Sequence, residues 1–305
     1  MNVASTDIGT NTVLLLIAEI DPKRLTIRPL INEYRTPRIG QGTKKSGLIT
    51  DEKLKLLIEV LGEFDKIIKS YKCDHVILTG TNAFRMASNT PFIINEIKKL
   101  FQYDLNVISG DVEAEYAYLG AISDLNNHKN TMVIDIGGSS TEIIVGMENE
   151  IISKRSLQLG SVSANEQFLL HNPPHESEIQ KLISEIKIKL IDIQLKNIPN
   201  QVIAVAGTAT TLSCMLLGLN KFDEDAVANS KINYRDLKNL IENLKQLSVQ
   251  EVLEKYNSVI TGREDIIFTG ACILLQIMET LRIENVLVST RGIRYGAIVN
   301  YMMIK

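Results

Sequence analysis

The chain opens with two apolar-rich runs separated by a short polar turn. NVAST (2–6) leads into Asp7, and TVLLLIAEI (12–20) follows Gly9. This predicts a strand, a tight turn and a second strand. LTIRPLINEYR (25–35) supplies a third strand, and the pattern then dissolves into a Gly-rich, basic loop, TPRIGQGTKKSGLIT. From Thr50 the period changes. Leu54, Leu57, Ile58, Leu61, Phe64 and Ile68 recur at helical spacing. Thr50 is the expected N-cap, with Asp51 and Glu52 in the first turn, where the helix dipole favours acids. HVILTGT (75–81) predicts a strand entering a loop, and Thr90-Pro91 opens another helix. DLNVIS (104–109) predicts a short strand, and GDVEAEYAYLGAIS a helix from Gly110.

After the polar stretch DLNNHKN (124–130) the pattern starts again. TMVIDIGGSSTEIIVGMENEIISKRSLQLG (131–160) predicts three strands joined by two turns. Pro173-Pro174 interrupts, and a helical pattern covers about Glu176 to Leu195. QVIAVAGTATTLSCML (201–216) predicts a strand, a Gly-Thr turn and a helix. Helical patterns cover roughly 234–256 and 265–282, VLVST (286–290) is a last strand, and the chain closes on a short helix. Each half therefore begins with a β-meander hinged on Asp-Ile-Gly and continues with alternating helices and strands. The expectation is an α/β protein duplicated at domain scale, with domains 1–124 and 125–305 and the last helix free to pack back on the first. A length of 305 residues agrees with two domains.

Composition narrows the partners. Apolar residues make up 45% and charged residues 23%, as in ordinary globular proteins. Trp is absent, so the cores must be mainly aliphatic. With 33 basic against 36 acidic residues the net charge is −3, which argues against non-specific nucleic-acid binding. An anionic ligand would need a local basic pocket. No secretory leader pattern or membrane-length apolar run is present. Cys73, Cys214 and Cys272 are an odd set without a C-x-x-C pair, expected as reduced core thiols of a cytoplasmic protein.

The duplicated turns, DIGTNT (7–12) and DIGGSS (135–140), carry the candidate chemistry. Glycine lets backbone N–H groups approach a ligand, and consecutive N–H groups form a nest for phosphate oxygens. Gly9, Thr10, Asn11 and Thr12 in the first turn, and Gly137, Gly138, Ser139, Ser140 and Thr141 in the second, are candidate phosphate binders. Asp7 and Asp135 cannot bind phosphate directly. They can do so through Mg²⁺ or another divalent cation, which favours carboxylates together with phosphate oxygens. Either turn alone is equally compatible with ordinary Asp-x-Gly turn chemistry. Two copies in one strand context favour phosphate, gripped from both sides of a cleft. A third Gly-Thr turn, Gly207-Thr208, opens a helix and taken alone is a plain helix start. No P-loop or dinucleotide fingerprint is present. His75, His128, His171 and His175 lack zinc-ligand spacing. His171 and His175 are four apart, but Pro173-Pro174 denies them a shared helical face, so they are expected as loop residues.

DIGTNTVLLLI, GTNAFRMASN, ISGDVEAEYAYLG, VIDIGGSSTEI, GTATTL, GREDIIFTGA and STRGIRYG occur in that order along the whole chain. Together they closely resemble the Ppx/GppA phosphatase family, the exopolyphosphatases and guanosine pentaphosphate phosphohydrolases. The resemblance implies two ribonuclease-H-like (actin-like ATPase) domains with mixed sheets flanked by helices and a cleft between them. It is to the short, two-domain form. It places the catalytic base on Glu113, a second acid that positions water or metal on Glu142, and a phosphate-contacting arginine on Arg85. It also adds Gly207 and Thr208 to the phosphate-binding set. Ser139 stands where the usual second loop has a third glycine, a departure that matters only if that position needs positive φ. Glu115, two residues from Glu113, falls on another helix face. Arg38, Lys44, Lys45, Arg263, Arg291 and Arg294 are weaker candidates for a basic substrate path.

The expected function is Mg²⁺-assisted hydrolysis of the terminal phosphoanhydride of polyphosphate, guanosine pentaphosphate or both. Such chemistry needs an oriented water and charge neutralisation more than covalent catalysis. Two alternatives stay open: a small-molecule kinase of the same superfamily, and a non-catalytic regulator that binds alarmone or polyphosphate. Neither a nucleic-acid polymer nor a membrane is an expected partner. Members of the family are often homodimers, but the sequence displays no interface.

Overall fold

The computed structural model describes residues 1–125, 130–148, 150–193 and 199–304. The expected helix end at Leu195, His128 and part of the polar 124–130 stretch lie outside them. The chain forms two compact units, Met1–Asp124 with Arg291–Lys305, and Leu125–Thr290.

The first unit runs β1 (Asn2–Ile8), β2 (Val13–Asp21), β3 (Thr26–Arg35), α1 (Thr43–Ser46), α2 (Asp51–Ser70), β4 (His75–Gly80), α3 (Asn82–Met86), α4 (Thr90–Phe101), β5 (Leu105–Val107) and α5 (Gly110–Ile122). Its sheet has the order β3-β2-β1-β4-β5. The first three strands are antiparallel, and β4 and β5 run parallel to β1. The Thr50 hydroxyl accepts from the Lys53 N–H and starts α2. Leu57, Val60, Leu61, Phe64 and Ile68 bury one stripe of that helix, while Leu54 and Ile58 pack at its margin.

The second unit runs β6 (Thr131–Ile136), β7 (Thr141–Met147), β8 (Glu150–Leu157), α6 (Ser161–Phe168), α7 (Glu176–Leu190), β9 (Gln201–Val205), α8 (Ala206–Leu217), α9 (Glu224–Val227), β10 (Lys231–Asn233), α10 (Tyr234–Leu244), α11 (Val249–Tyr256), α12 (Ile267–Leu281) and β11 (Asn285–Val288). Its sheet reads β8-β7-β6-β9-β11-β10. With β6 equated to β1, β9 to β4 and β11 to β5, the first five strands repeat the order and directions of the first sheet. The extra edge strand β10 is antiparallel to β11. The fold is thus mixed α/β, with two mixed sheets flanked by helices. Helix α12 is buried nearly throughout, as its almost continuous apolar sequence requires. The helical pattern over 234–256 is broken at Ser248, whose hydroxyl accepts from the Glu251 N–H and caps α11.

The last helix, α13 (Ile293–Ile304), belongs to the first unit, although a linear division at 124/125 assigns it to the second. Two glycines set its approach to α5. A Cβ on Gly120 would sit 2.1 Å from the Gly292 carbonyl oxygen, and one on Gly296 would sit 1.8 Å from that of Tyr116. Tyr295, Ile298 and Met302 complete a small core with Val3, Leu16, Ala18 and Ile20.

All three cysteines are free thiols. Burial pushes Cys73 and Cys214 up to about 11 and Cys272 up to about 12, so thiolate chemistry is suppressed. No helix among the described residues is long and apolar enough to cross a membrane.

Candidate functional site

The first loop is a hairpin joining β1 to β2. Ile8 pairs with Val13, and the Gly9 N–H donates to the Thr12 carbonyl at 3.0 Å. Thr10, Asn11 and Thr12 are buried. The Gly-rich segment after β3 holds the loop from behind. The Gly40 N–H donates to the Thr10 carbonyl and the Arg38 N–H to that of Asn11. A Cβ on Gly40 would come within 2.5 Å of Thr10 Cγ2 and 3.1 Å of Thr10 Cα. Glycine is therefore needed there for close approach, which is a packing requirement rather than one of backbone freedom.

Beside this loop the first unit gathers its charged groups. Asp7 pairs with Leu14 on β2 and Thr79 on β4. Its Oδ1 is shut off from solvent without a hydrogen-bond partner. Burial pushes its pKa up to about 7, the nearby Glu113 carboxylate adds to the rise, and Arg294 opposes it. Glu113 sits on the first turn of α5, whose N-cap Ser109 accepts from the Val112 N–H. Its side chain is buried and Glu115 is exposed, as helix geometry requires of residues two apart. Arg85 Nη1 lies 2.7 Å from Glu113 Oε2 and donates to the Ile108 carbonyl, while Nη2 donates to Asn82 Oδ1. Desolvation raises the Glu113 pKa and Arg85 restrains that rise. Asp7, Glu113, Arg85 and Arg294 thus form one electrostatic cluster in the first unit.

The second unit rebuilds the same loop. Ile136 pairs with Thr141, and the Gly137 N–H donates to the Ser140 carbonyl at 3.0 Å. The backing segment is now the start of α6. The Ser161 N–H donates to the Gly137 carbonyl, and the Val162 and Ser163 N–H groups both donate to that of Gly138. A Cβ on Gly160 would stand 2.5 Å from Gly138 C and Ser139 N. Ser139 has no positive φ, so its substitution for the usual glycine introduces no backbone strain. Asp135 is buried and directly opposite Glu142, which is opposite Ser156 in turn. The Ser156 hydroxyl donates to Glu142 Oε1 at 2.8 Å. The first unit has Leu14 where the second has Glu142.

A Gly-Thr step recurs after the parallel neighbour of each first strand. Thr81, after β4, donates through both its N–H and its hydroxyl to the Ile8 carbonyl. Thr208, after β9, donates its hydroxyl to the equivalent Ile136 carbonyl at 3.0 Å. Gly207 admits the Arg263 guanidinium, which would lie 1.9 Å from a Cβ at that position. The preceding Ala206 has φ +65°, a left-handed conformation that costs a non-glycine residue about 1–2 kcal/mol. Strain of this kind concentrates at functional sites.

Several expected side chains have other work in the fold. The Thr141 hydroxyl is fully buried and donates to the Leu159 carbonyl, and that of Thr208 is committed to Ile136, so each braces its loop. Arg294 donates to the Leu15 carbonyl and to Asn32, inside the first unit. Arg291 ion-pairs with Asp124 and lies over the Tyr295 ring. Lys44 and Lys45 remain exposed on α1. Gly40, Gly160, Thr81 and Ser156 are the contributors that the sequence reading passed over. The Gly80-Thr81 and Gly207-Thr208 repeat was the available signal, whereas the backing glycines sit at different distances from their loops and leave no repeat to read. Asp7 Oδ1 is a hard oxygen donor without a hydrogen-bond partner, so Asp7 could hold a cation.

Fold and site together define a duplicated mixed α/β protein with one glycine-hinged loop and its acidic residues in each copy. The chain belongs to the Ppx/GppA phosphatase family, whose profile matches residues 16–304. It is 30% identical over 308 residues to a bifunctional 3-dehydroquinate synthase/phosphatase of Fusobacterium nucleatum, spanning 97% of this chain but 46% of that protein. Exopolyphosphatase 2 of Mycobacterium tuberculosis is 27% identical over 310 residues, with 96% of each chain covered. The solved structure of an exopolyphosphatase from Cytophaga hutchinsonii superposes with a TM-score of 0.91 at 27% identity, covering 99% of this chain and 98% of that one.

Proposed function

We propose that this protein is a phosphoanhydride hydrolase that removes the terminal phosphate of inorganic polyphosphate, guanosine pentaphosphate or both. The observation that carries the reading is the buried Glu113 carboxylate paired with Arg85 and within electrostatic reach of Asp7. Membership of the phosphatase family supports it, as do the exopolyphosphatase names of full-length relatives.

Glu113 orients the attacking water and accepts its proton. A carboxylate raised by burial is a better base near neutral pH than an exposed one, provided it stays ionised. Arg85 favours its ionised form and presents a second guanidinium edge to phosphate oxygens. The Gly9–Thr12 and Gly137–Ser140 loops receive phosphate through backbone N–H groups, braced by Gly40, Gly160, Thr81 and Thr208. Glu142, fixed by Ser156, is the second acid. Asp7 and Asp135, each within its own unit, are the oxygen donors that would hold Mg²⁺ or a similar cation, which would neutralise phosphate charge.

The test is phosphate release from polyphosphate and from guanosine pentaphosphate, with Mg²⁺ and no other substrate. Release supports hydrolysis. Turnover that requires a second acceptor substrate would support a kinase, and tight binding without release a regulator.

A further inference from the structure

The loop that leads into α7 brings together ligands from outside the site described above. His171, His175 and Glu178 each offer a ligand atom, and these atoms lie within 4.8 Å of one another. Two prolines deny the histidines a shared helical face. The loop makes that face unnecessary. It stacks the two imidazole rings with centroids 3.7 Å apart before the helix begins. Glu178, three residues past the helix N-cap at His175, then turns back beneath them. Its Oε2 accepts the His175 N–H at 3.0 Å, and its Oε1 accepts the Leu170 N–H at 3.1 Å and lies 2.9 Å from His171 Nδ1.

From these residues we infer a transition-metal site, with His171, His175 and Glu178 as three ligands to Zn²⁺ or a similar borderline ion. Two imidazole nitrogens and one carboxylate oxygen are a set that Zn²⁺ takes and Mg²⁺ does not favour. The carboxylate is already oriented by two backbone N–H groups, the outer-shell support that metal ligands need. Both histidines are exposed, and a turn of their rings out of the stack would close the ligand set to bonding distance. The loop borders an open pocket of about 500 Å³, reached also by Lys245 and Gln246, which leaves room for water at a fourth position. None of these residues belongs to the phosphate loops or the Glu113 cluster, so the inference goes beyond the proposed hydrolysis.

The test is a Co²⁺ titration of chelator-treated, desalted protein, followed by visible absorption and calorimetry, with Zn²⁺ competition. The expected result is one equivalent bound, with the d–d bands of a low-coordinate nitrogen-containing site, displaced by Zn²⁺. His171→Ala and His175→Ala should each weaken this binding by at least about 10–100-fold, the loss that weakened ligation brings. Both positions are exposed, and circular dichroism checks that the variants fold. Asp7→Asn and Asp135→Asn should retain the bands. Absence of the bands in the parent, or their persistence in both histidine variants, would overturn the proposal.

Discussion

Arg85 Nη1 stands 2.7 Å from Glu113 Oε2, and the same guanidinium is held by the Ile108 carbonyl and Asn82. The arginine is thus fixed from three sides, and it lowers a carboxylate pKa that burial raises. Arg85→Gln removes the opposing charge, so the Glu113 pKa must rise. A base acts only when ionised, so the acidic limb of the kcat/KM–pH profile should move to higher pH. An unmoved limb would show that Glu113 does not set it.

Asp7 makes the opposite contribution to stability from a salt-bridged carboxylate. Its pKa is raised from 3.8 to about 7, so its folded form favours the proton. The stabilisation this provides is complete below the ordinary value and is lost as pH rises through about 7. Asp7→Asn should therefore raise Tm at pH 8 in chelator and change it little at pH 4. It should also cost about 100-fold or more in phosphate release, the scale of losing a charge-stabilising group. Thermal melts at both pH values check the first part. Lower stability of the variant at pH 8 would contradict it.

Gly160 and Gly110 predict a positional contrast. Gly160→Ala drives a Cβ into the Gly138–Ser139 backbone, which cannot yield as a side-chain tip can. The expected cost is about 1–3 kcal/mol, as for other overpacking changes, with a larger loss of activity than of stability. Gly110→Ala meets nothing within 4 Å and should be tolerated. Denaturant titration and phosphate release on the two variants make the comparison.

Ser139→Gly tests whether the departure from a third glycine matters. Ser139 has no positive φ, so glycine relieves no strain there and adds only unfolded-state freedom. Stability should be unchanged or lower by up to about 1 kcal/mol, with activity within a few-fold of the parent. A marked gain in either would mean that the serine distorts the loop.

What the sequence made legible was short in range. The Asp-Ile-Gly turns, the Thr50 cap and the α2 stripe each depend on residues within a few positions of one another. Duplication was visible for the same reason, since both meanders are local. The backing of each loop was not, because Gly40 reaches Thr10 and Gly160 reaches Gly138 across intervening strands. The partners of Arg294, Leu15 and Asn32, were not legible either, because they lie near the other end of the chain. The histidine pair lies in a loop, as Pro173-Pro174 predicts, but the stacking of its rings cannot be read from spacing. The roles of Glu113 and Glu142 came from family resemblance. On residue type alone Glu113 is an ordinary first-turn acid.

The most direct test of that assignment is the rate of phosphate release from polyphosphate by Glu113→Gln beside the parent, under identical Mg²⁺ and salt. The substitution keeps size and removes the base. Loss of the base predicts a fall in kcat of about 10²–10⁴-fold with KM little changed. A variant that turns over as fast as the parent would contradict the account.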